Sequence, residues 1–195
     1  MAWGVLRGDG AAGRGHGRAP ARAGDGAAFA GHQCGTGTGL IFCRHYDQAL
    51  EELRKTIDLD PSYVEAHLYL GWVYEQKGMF PEAIAEFRQA LSGSGGGPRF
   101  VSALGHAYAI SGQRRMAEES LARLEQQARQ RYVAPSDIAE ILIGLDEKEQ
   151  ALKYLEMAYA DHSSWMIWLR VDPRFDSIRG DPRYQDLLRR MHLTP

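Results

Sequence analysis

The residues of this chain that could support catalysis do not form a recognisable catalytic motif. Its seven histidines are scattered along the sequence. None of them joins a serine or cysteine in a known nucleophile motif, and no H-E-x-x-H zinc pattern occurs. The adjacent acids Glu51-Glu52 and Glu118-Glu119 point about 100° apart on a helix, which does not suit an acid–base pair. We therefore expect no catalytic residue and predict that the protein is not an enzyme.

Metal-binding and phosphate-binding motifs are also missing from the sequence. Cys34 and Cys43 lie close to His32 and His45, but the nine-residue spacing of the two cysteines matches no common zinc pattern. The glycine-rich stretch GTGTGL at 35–40 lacks a third glycine at the offset that a dinucleotide-binding fingerprint requires, and it is not followed by the Lys-Ser/Thr of a P-loop. We expect no metal and no cofactor.

The clearest structural signal comes from residues 64–91, which predict two amphipathic helices joined by a tight turn at Lys77-Gly78-Met79. Gly71 stands where the two helices must approach each other most closely. Before this pair, Asp60-Pro61 ends the helix 46–59, because proline cannot continue the hydrogen-bond ladder. Ser62 and Glu65 have the spacing of a capping box for the next helix.

The apolar positions of these helices repeat every 34 residues. Two of the repeating columns are Ala49, Ala83, Ala117, Ala151 and Leu53, Phe87, Leu121, Leu155. The run Leu70-Gly71-Trp72-Val73-Tyr74, followed by Ala83, Phe87 and Ala90, resembles the tetratricopeptide repeat family, whose period is 34 residues. The resemblance covers residues 46–162. It implies an all-α helix–turn–helix solenoid of about three and a half repeats whose function is non-catalytic protein–protein interaction.

The resemblance also implies a binding surface, because the first helix of each pair lines the concave face in this family. The candidate partner-binding residues are Glu65, Leu68, Trp72, Glu75, Arg99, Ser102, His106 and Glu140. Trp72, Leu68 and His106 predict an amphipathic strip for an extended peptide or a helix, since aromatic residues are favoured as interface anchors. The alternative is that Trp72 covers the seam between two repeats.

One subclass of the family binds a C-terminal carboxylate with Lys, Arg and Asn side chains on this face. The corresponding columns here hold Leu68, Ser102, Ser136 and Trp72, His106, Glu140. We therefore predict that this chain has no carboxylate clamp.

The C-terminal residues 163–195 predict a cap on the array. Asp172-Pro173-Arg174-Phe175 is echoed by Asp181-Pro182-Arg183-Tyr184, and in each case Asp can cap a helix while Pro takes its first position. The apolar residues expected to cover the open end of the last repeat are Phe175, Ile178, Tyr184 and Leu188. This tail resembles the end of the tetratricopeptide regions that follow bacterial winged-helix regulators, adenylate cyclases and serine/threonine kinases. No residue of those fused domains is present, so none of their activities is implied.

Residues 1–44 differ from the array at 45–162. Twelve of the 22 glycines lie there, and the segment carries a net charge of +3, from five Arg minus Asp9 and Asp25, against −5 for the rest of the chain, from 18 basic and 23 acidic residues. Three interpretations remain open: a disordered tail, a targeting segment, or out-of-frame translation joined to a real repeat near Arg44. A disordered tail predicts that removing residues 1–44 has little effect on stability.

Charge and hydropathy limit the remaining classes of partner. A net charge of −2 argues against a nucleic-acid binder. The sequence contains no apolar run of 18 residues, so no membrane span is predicted. We expect a cytoplasmic protein that is a monomer or weak dimer and binds a protein or peptide. The alternatives are the detached C-terminal part of a multidomain bacterial regulator or kinase, and a small-molecule sensor with its pocket near Trp72.

The repeat pattern makes one prediction about stability. Phe87 stands in one of the repeating apolar columns, so Phe87→Ala is expected to lower the free energy of unfolding by ~3–5 kcal/mol, as a large-to-small change in a core does. Urea denaturation measures the change. A loss below about 1 kcal/mol would show that Phe87 is not in the core.

Overall fold

The computed structural model describes residues 37–193 as a chain of helices without a strand in that range. The α-helices are α1 Gly37–Phe42, α2 Tyr46–Leu59, α3 Val64–Gln76, α4 Phe80–Gly93, α5 Pro98–Ile110, α6 Arg114–Ala128, α7 Pro135–Gly144, α8 Lys148–Ala160 and α9 Pro182–Arg190. Two 3-10 helices, Ser164–Trp168 and Pro173–Ile178, lie between α8 and α9. No helix within 37–193 combines the length and the apolar character that a membrane crossing demands.

The helices pack as consecutive hairpins. Helix α1 packs on α2, α3 on α4, α5 on α6 and α7 on α8, and each hairpin also contacts the next one. Helices α3, α5 and α7, the first of each pair, contact one another in succession. The buried residues therefore form one continuous core along a solenoid.

Helix α1 changes the expected start of the array. Residues 1–36 lie outside the described residues, but 37–42 are helical, and Leu40 and Ile41 are buried. Because glycines at 37 and 39 lower the helix propensity of this segment, the helix depends on its packing against α2. Because deletion of residues 1–44 removes both buried side chains, it is expected to lower stability, contrary to the expectation from the sequence.

Gly71 of α3 lies directly against Phe87 of α4, where the sequence predicts a close approach of the two helices. A Cβ atom placed on Gly71 would lie 2.4 Å from a ring carbon of Phe87. The Phe87 ring is fully buried and cannot move away without disturbing its neighbours, because the interior is close-packed. Only glycine therefore allows this pair of helices to meet at the observed distance.

The C-terminal cap follows the pattern predicted from its two Asp-Pro-Arg sequences. The side chain of Asp172 accepts a hydrogen bond from the backbone of Arg174, and Asp181 accepts one from the backbone of Arg183. The four apolar residues expected to be covered, Phe175, Ile178, Tyr184 and Leu188, are all buried. Helix α9 packs on α8, and the second 3-10 helix packs on α7.

The capping box predicted for α3 is wrong. The N-cap residue is Tyr63, and it makes no side-chain capping bond. The Ser62 hydroxyl instead donates to Asp60 Oδ1 at 2.7 Å, and the Ser62 backbone N–H donates to the same oxygen at 2.9 Å. Ser62 binds Asp60 instead of capping the helix, because a short Asp side chain readily closes a turn with the residue two positions further along the chain.

Gly71→Ala is expected to destabilise the protein by roughly 1–3 kcal/mol, because overpacking against Phe87 outweighs the better helix propensity of alanine. Urea denaturation of the single variants and of Gly71→Ala combined with Phe87→Leu measures the effect. The smaller leucine should recover part of the loss in the double variant. Gly180→Ala is the matched control, since a Cβ atom at Gly180 meets nothing within 4 Å. A Gly71→Ala variant as stable as the wild type would contradict the packing argument.

His67 of α3 makes contacts through both of its ring nitrogens, one to α4 and one to the turn that precedes α3. Nδ1 lies 2.6 Å from Glu86 Oε2 and Nε2 lies 3.0 Å from the backbone oxygen of Pro61. Both neighbours are acceptors, so the arrangement suits the imidazolium form. Burial lowers the pKa of His67, but the hydrogen bonds to Glu86 and Pro61 outweigh it and raise the pKa above the ordinary value of 6.5.

A raised pKa means that His67 stabilises the fold below its ordinary pKa and that this contribution is lost as the pH rises through the folded-state pKa. The stability difference between wild type and His67→Gln should therefore be larger at pH 6 than at pH 8.5, by roughly 1 kcal/mol. Urea denaturation at both pH values measures it. Glu86→Gln should weaken the pH dependence, and a difference that grows with pH would refute this assignment.

Candidate functional site

The solenoid brings the eight predicted partner-binding residues onto neighbouring first helices. Glu65, Leu68, Trp72 and Glu75 lie on α3, Arg99, Ser102 and His106 lie on α5, and Glu140 lies on α7. Six of the eight are buried, whereas Glu65 and Arg99 are half-buried. A later segment of the same chain covers part of this face. We call residues 163–178, which contact the first helices, the cap segment.

Trp72 is the centre of the contact between the concave face and the cap segment. Its ring centroid lies 5.4 Å from that of Trp165, at an interplanar angle of 54°. The guanidinium carbon of Arg174 lies 4.1 Å from the Trp72 centroid, a cation–π contact. Trp72 is 3% exposed. An aromatic residue of α3 thus binds an aromatic residue and a cation from the same short segment.

Arg174 is held by two carboxylates. Its Nε donates to Asp172 Oδ1 at 2.9 Å and its Nη2 to Asp172 Oδ2 at 2.5 Å. Its Nη1 lies 2.5 Å from Glu140 Oε1 on α7. The Arg174 side chain is 3% exposed. The bidentate pair with Asp172 fixes the guanidinium plane, and the ion pair with Glu140 ties the cap segment to the last repeat.

Burial and charge act in opposite directions on the carboxylates of this cluster. Burial raises the pKa of Asp172, but the charge and hydrogen bonds of Arg174 outweigh it, and the net pKa is lowered. Burial raises the pKa of Glu140, and Arg174 and His106 offset only part of this effect. The cap segment therefore docks through a desolvated cluster in which Asp172 stays ionised.

A second buried pair lies beside this cluster. Nδ1 of His106 on α5 lies 2.7 Å from Glu75 Oε1 on α3, and both side chains are less than 5% exposed. Burial lowers the pKa of His106, but the charges of Glu75 and Glu140 and the hydrogen bond to Glu75 outweigh it, and the pKa is raised. The pair joins two successive repeats, and its negative partner adds to the acidic surroundings of Arg174.

The two half-buried residues of the predicted set form an ion pair at the edge of the groove. Arg99 Nη1 lies 3.1 Å from Glu65 Oε2. The Arg99 guanidinium carbon also lies 5.0 Å from the Trp165 centroid and 5.3 Å from that of Trp72. Arg99 and Arg174 therefore both contact the same two tryptophans.

The cap segment reaches the opposite end of the solenoid as well. Phe42 of α1 stacks on Trp168, with centroids 4.9 Å apart and an interplanar angle of 15°. Arg44 Nη2 lies 2.7 Å from Asp176 Oδ2. The cap segment thus extends from α7 to α1 across the first helices. The sequence indicated a terminal cap but not this path.

Five residues important for the site were absent from the predicted set: Trp165, Trp168, Asp172, Arg174 and Asp137. The pair Trp165 and Trp168 was a usable signal, because two large aromatic residues in a segment without helical periodicity need a partner surface. Asp137 gave no comparable signal, and neither did Arg174, because its partners Glu140 and Trp72 are far away in sequence. Within 37–193 no group of His, Cys, Asp and Glu has the arrangement of a metal site.

Comparison with known families agrees with this geometry. Residues 43–98 match the family model described as Tetratricopeptide repeat. The fold is an all-α tetratricopeptide solenoid. Such repeats generally mediate protein–protein interaction through their stacked helices. No curated protein matches the chain. The matched range includes α2, α3 and α4, and therefore Trp72 and three other members of the predicted set.

Arg174→Ala is expected to destabilise the protein by about 3–5 kcal/mol, because it leaves Asp172 and Glu140 buried without a positive partner. Arg174→Lys should lose less, since it keeps the charge but not the bidentate geometry. Chemical denaturation monitored by circular dichroism measures both.

Arg183 supplies the matched control for this variant. It also pairs with two carboxylates, those of Glu149 and Asp181, but half of its side chain is exposed. Arg183→Ala should therefore change stability little, because exposed ion pairs contribute little. Equal losses from Arg174→Ala and Arg183→Ala would contradict the importance of the buried cluster.

Proposed function

We propose that this protein is a non-catalytic protein–protein interaction module, a scaffold or sensor arm, whose concave face binds a peptide-like segment of a partner. The observation that carries the proposal is the docking of the cap segment on Trp72 and Glu140. A short segment with one aromatic and one cationic side chain already occupies part of this face in cis. A partner segment with an aromatic and a cationic side chain could make the same contacts with Trp72 and Glu140.

The eight residues of the concave face have separate roles in this proposal. Trp72 and Leu68 supply apolar area, and Trp72 also accepts a cation on its ring. Glu140 and Glu75 supply negative charge for an arginine or lysine of the partner, while Glu65 and Arg99 lie at the accessible edge. Ser102 and His106 hold neighbouring helices together, through Asp137 and Glu75 respectively.

The cellular setting belongs to the same proposal. The resemblance of the C-terminal tail to the tetratricopeptide regions of bacterial regulators and kinases supports a role as the interaction arm of a larger signalling protein. We propose a cytoplasmic location, a monomer or weak dimer, and no nucleic-acid partner. Light scattering at several protein concentrations tests the oligomeric state, and a stable tetramer would contradict it.

A small-molecule sensor is the second candidate, and one observation favours it. A cavity of about 250 Å³ lies between the concave face and the cap segment, and its lining includes Trp72, Arg99, Glu140 and Trp165. The cavity is partly open to solvent. A ligand bound there would contact the repeats and the cap segment together, and would therefore stabilise the docked form.

The groove-binding proposal is tested with a labelled peptide of residues 163–180. In the Trp165→Ala variant the native cap segment loses its aromatic contact with Trp72 and keeps only that of Arg174. The native segment then competes less well, so the labelled peptide should bind at about micromolar Kd. The wild type should bind it at least about tenfold more weakly, because its own cap segment competes at high local concentration. Fluorescence polarisation measures both affinities.

Three controls make the outcome specific. A peptide with alanine in place of Trp165 and Arg174 should not bind, and Ile167→Ala should behave as the wild type because Ile167 is exposed. Adding Trp72→Ala to Trp165→Ala should abolish binding. If the Trp165→Ala variant unfolds cooperatively but binds no peptide, the concave face is not a peptide site.

A further inference from the structure

The cavity between the concave face and the cap segment has the size of a single small metabolite. Its volume is about 250 Å³, below the range of about 300–1,000 Å³ that is typical of drug-sized ligands. The rings of Trp72 and Trp165, 5.4 Å apart between centroids, both line it, and so does Tyr132. An apolar or aromatic group of moderate size fits such walls.

Three side chains that line the cavity carry a hydrogen-bond donor without a partner in the described part of the chain. They are the hydroxyl of Ser136, the indole N–H of Trp72 and the Nε–H of Arg99. Ser136 is 3% exposed. Buried donors are nearly always satisfied in folded proteins, so three on the lining of one cavity indicate an acceptor-rich ligand. A carboxylate has two oxygens that accept several hydrogen bonds.

Asp137 adds a negative charge to the same cavity, and this charge favours a cationic group on the ligand. Its side chain lines the cavity, yet its carboxylate makes no hydrogen bond or ion pair with any residue of 37–193. Burial, together with the charge of Glu140, raises the pKa of Asp137 to about 7, although Arg99 and Arg174 act to lower it. Both arginines are paired elsewhere, with Glu65 and with Asp172 and Glu140. An added cation would keep Asp137 ionised.

We propose that this cavity binds a free α-amino acid with an apolar or aromatic side chain. Its carboxylate accepts from Ser136 and Arg99, its ammonium group pairs with Asp137, and its side chain lies along Trp72 and Trp165. A simple carboxylate would leave Asp137 unpaired and be repelled by it, and a simple amine would leave the donors unsatisfied. The proposal rests on the second candidate function, the small-molecule sensor, and is independent of peptide binding.

Thermal unfolding of the wild-type chain with matched compounds tests the ligand class. L-Phenylalanine and L-leucine, at concentrations well above Kd, should raise Tm by about 2–4 °C or more. 3-Phenylpropanoate, which lacks the ammonium group, and 2-phenylethylamine, which lacks the carboxylate, should leave Tm unchanged. N-acetylation of the amino acid should remove its effect.

Titration calorimetry of variants tests the assigned residues. Asp137→Asn should weaken the best amino acid by about 10-fold or more, because a charge-assisted contact becomes a neutral one. Ser136→Ala should weaken it less. Asp146→Asn is the matched control: Asp146 is exposed, and asparagine tolerates its φ of 62° well. Its affinity should equal that of the wild type.

The outcomes separate the ligand class from the sensor function. Equal stabilisation by 3-phenylpropanoate or by 2-phenylethylamine would overturn the amino-acid proposal and leave a small-molecule site standing. The absence of stabilisation by any compound of a broad metabolite panel would overturn both. Stabilisation by amino acids that is unaffected in Asp137→Asn and Ser136→Ala would place the site elsewhere and also overturn the proposal.

Discussion

The docking of Arg174 between Asp172 and Glu140, over the ring of Trp72, is the contact on which the concave face depends. A cation removed from water needs paired charges and good geometry, or its burial costs more than it contributes. Here the bidentate pair, the ion pair and the cation–π contact meet at one guanidinium group. Because all three contacts involve Arg174, they hold the cap segment in one position on the first helices.

Buried ion pairs of this kind specify an arrangement more than they stabilise it, since well-packed apolar residues are often equally stable. The rest of the cap has apolar anchors such as Phe175 and Tyr184, both fully buried. We interpret the apolar anchors as the main source of binding energy and the Arg174 cluster as the source of register. The polar groups without a hydrogen-bond partner, such as the Ser136 hydroxyl, lie on the lining of the cavity.

The sequence predicted the parts of the fold that follow from local periodicity. The 34-residue repeat located the helix pairs, and Gly71 opposite Phe87 was recognisable because two helices can approach closely only at a small residue. The path of the cap segment could not be predicted in this way. Arg174 meets Glu140 and Trp72 through three-dimensional packing, and no spacing rule connects them. Helix α1 was missed because glycines concealed the two buried residues, Leu40 and Ile41, that hold it in place.

The aromatic cluster at the junction of groove and cap segment gives the molecule an intrinsic optical reporter. All three tryptophans within residues 37–193 belong to it: Trp165 contacts Trp72 and Trp168, and Trp168 stacks on Phe42. Indole emission depends on the polarity and hydration around the ring. Departure of the cap segment from the groove therefore alters the surroundings of every one of these tryptophans at once. Detachment of the cap segment can thus be followed by unlabelled fluorescence.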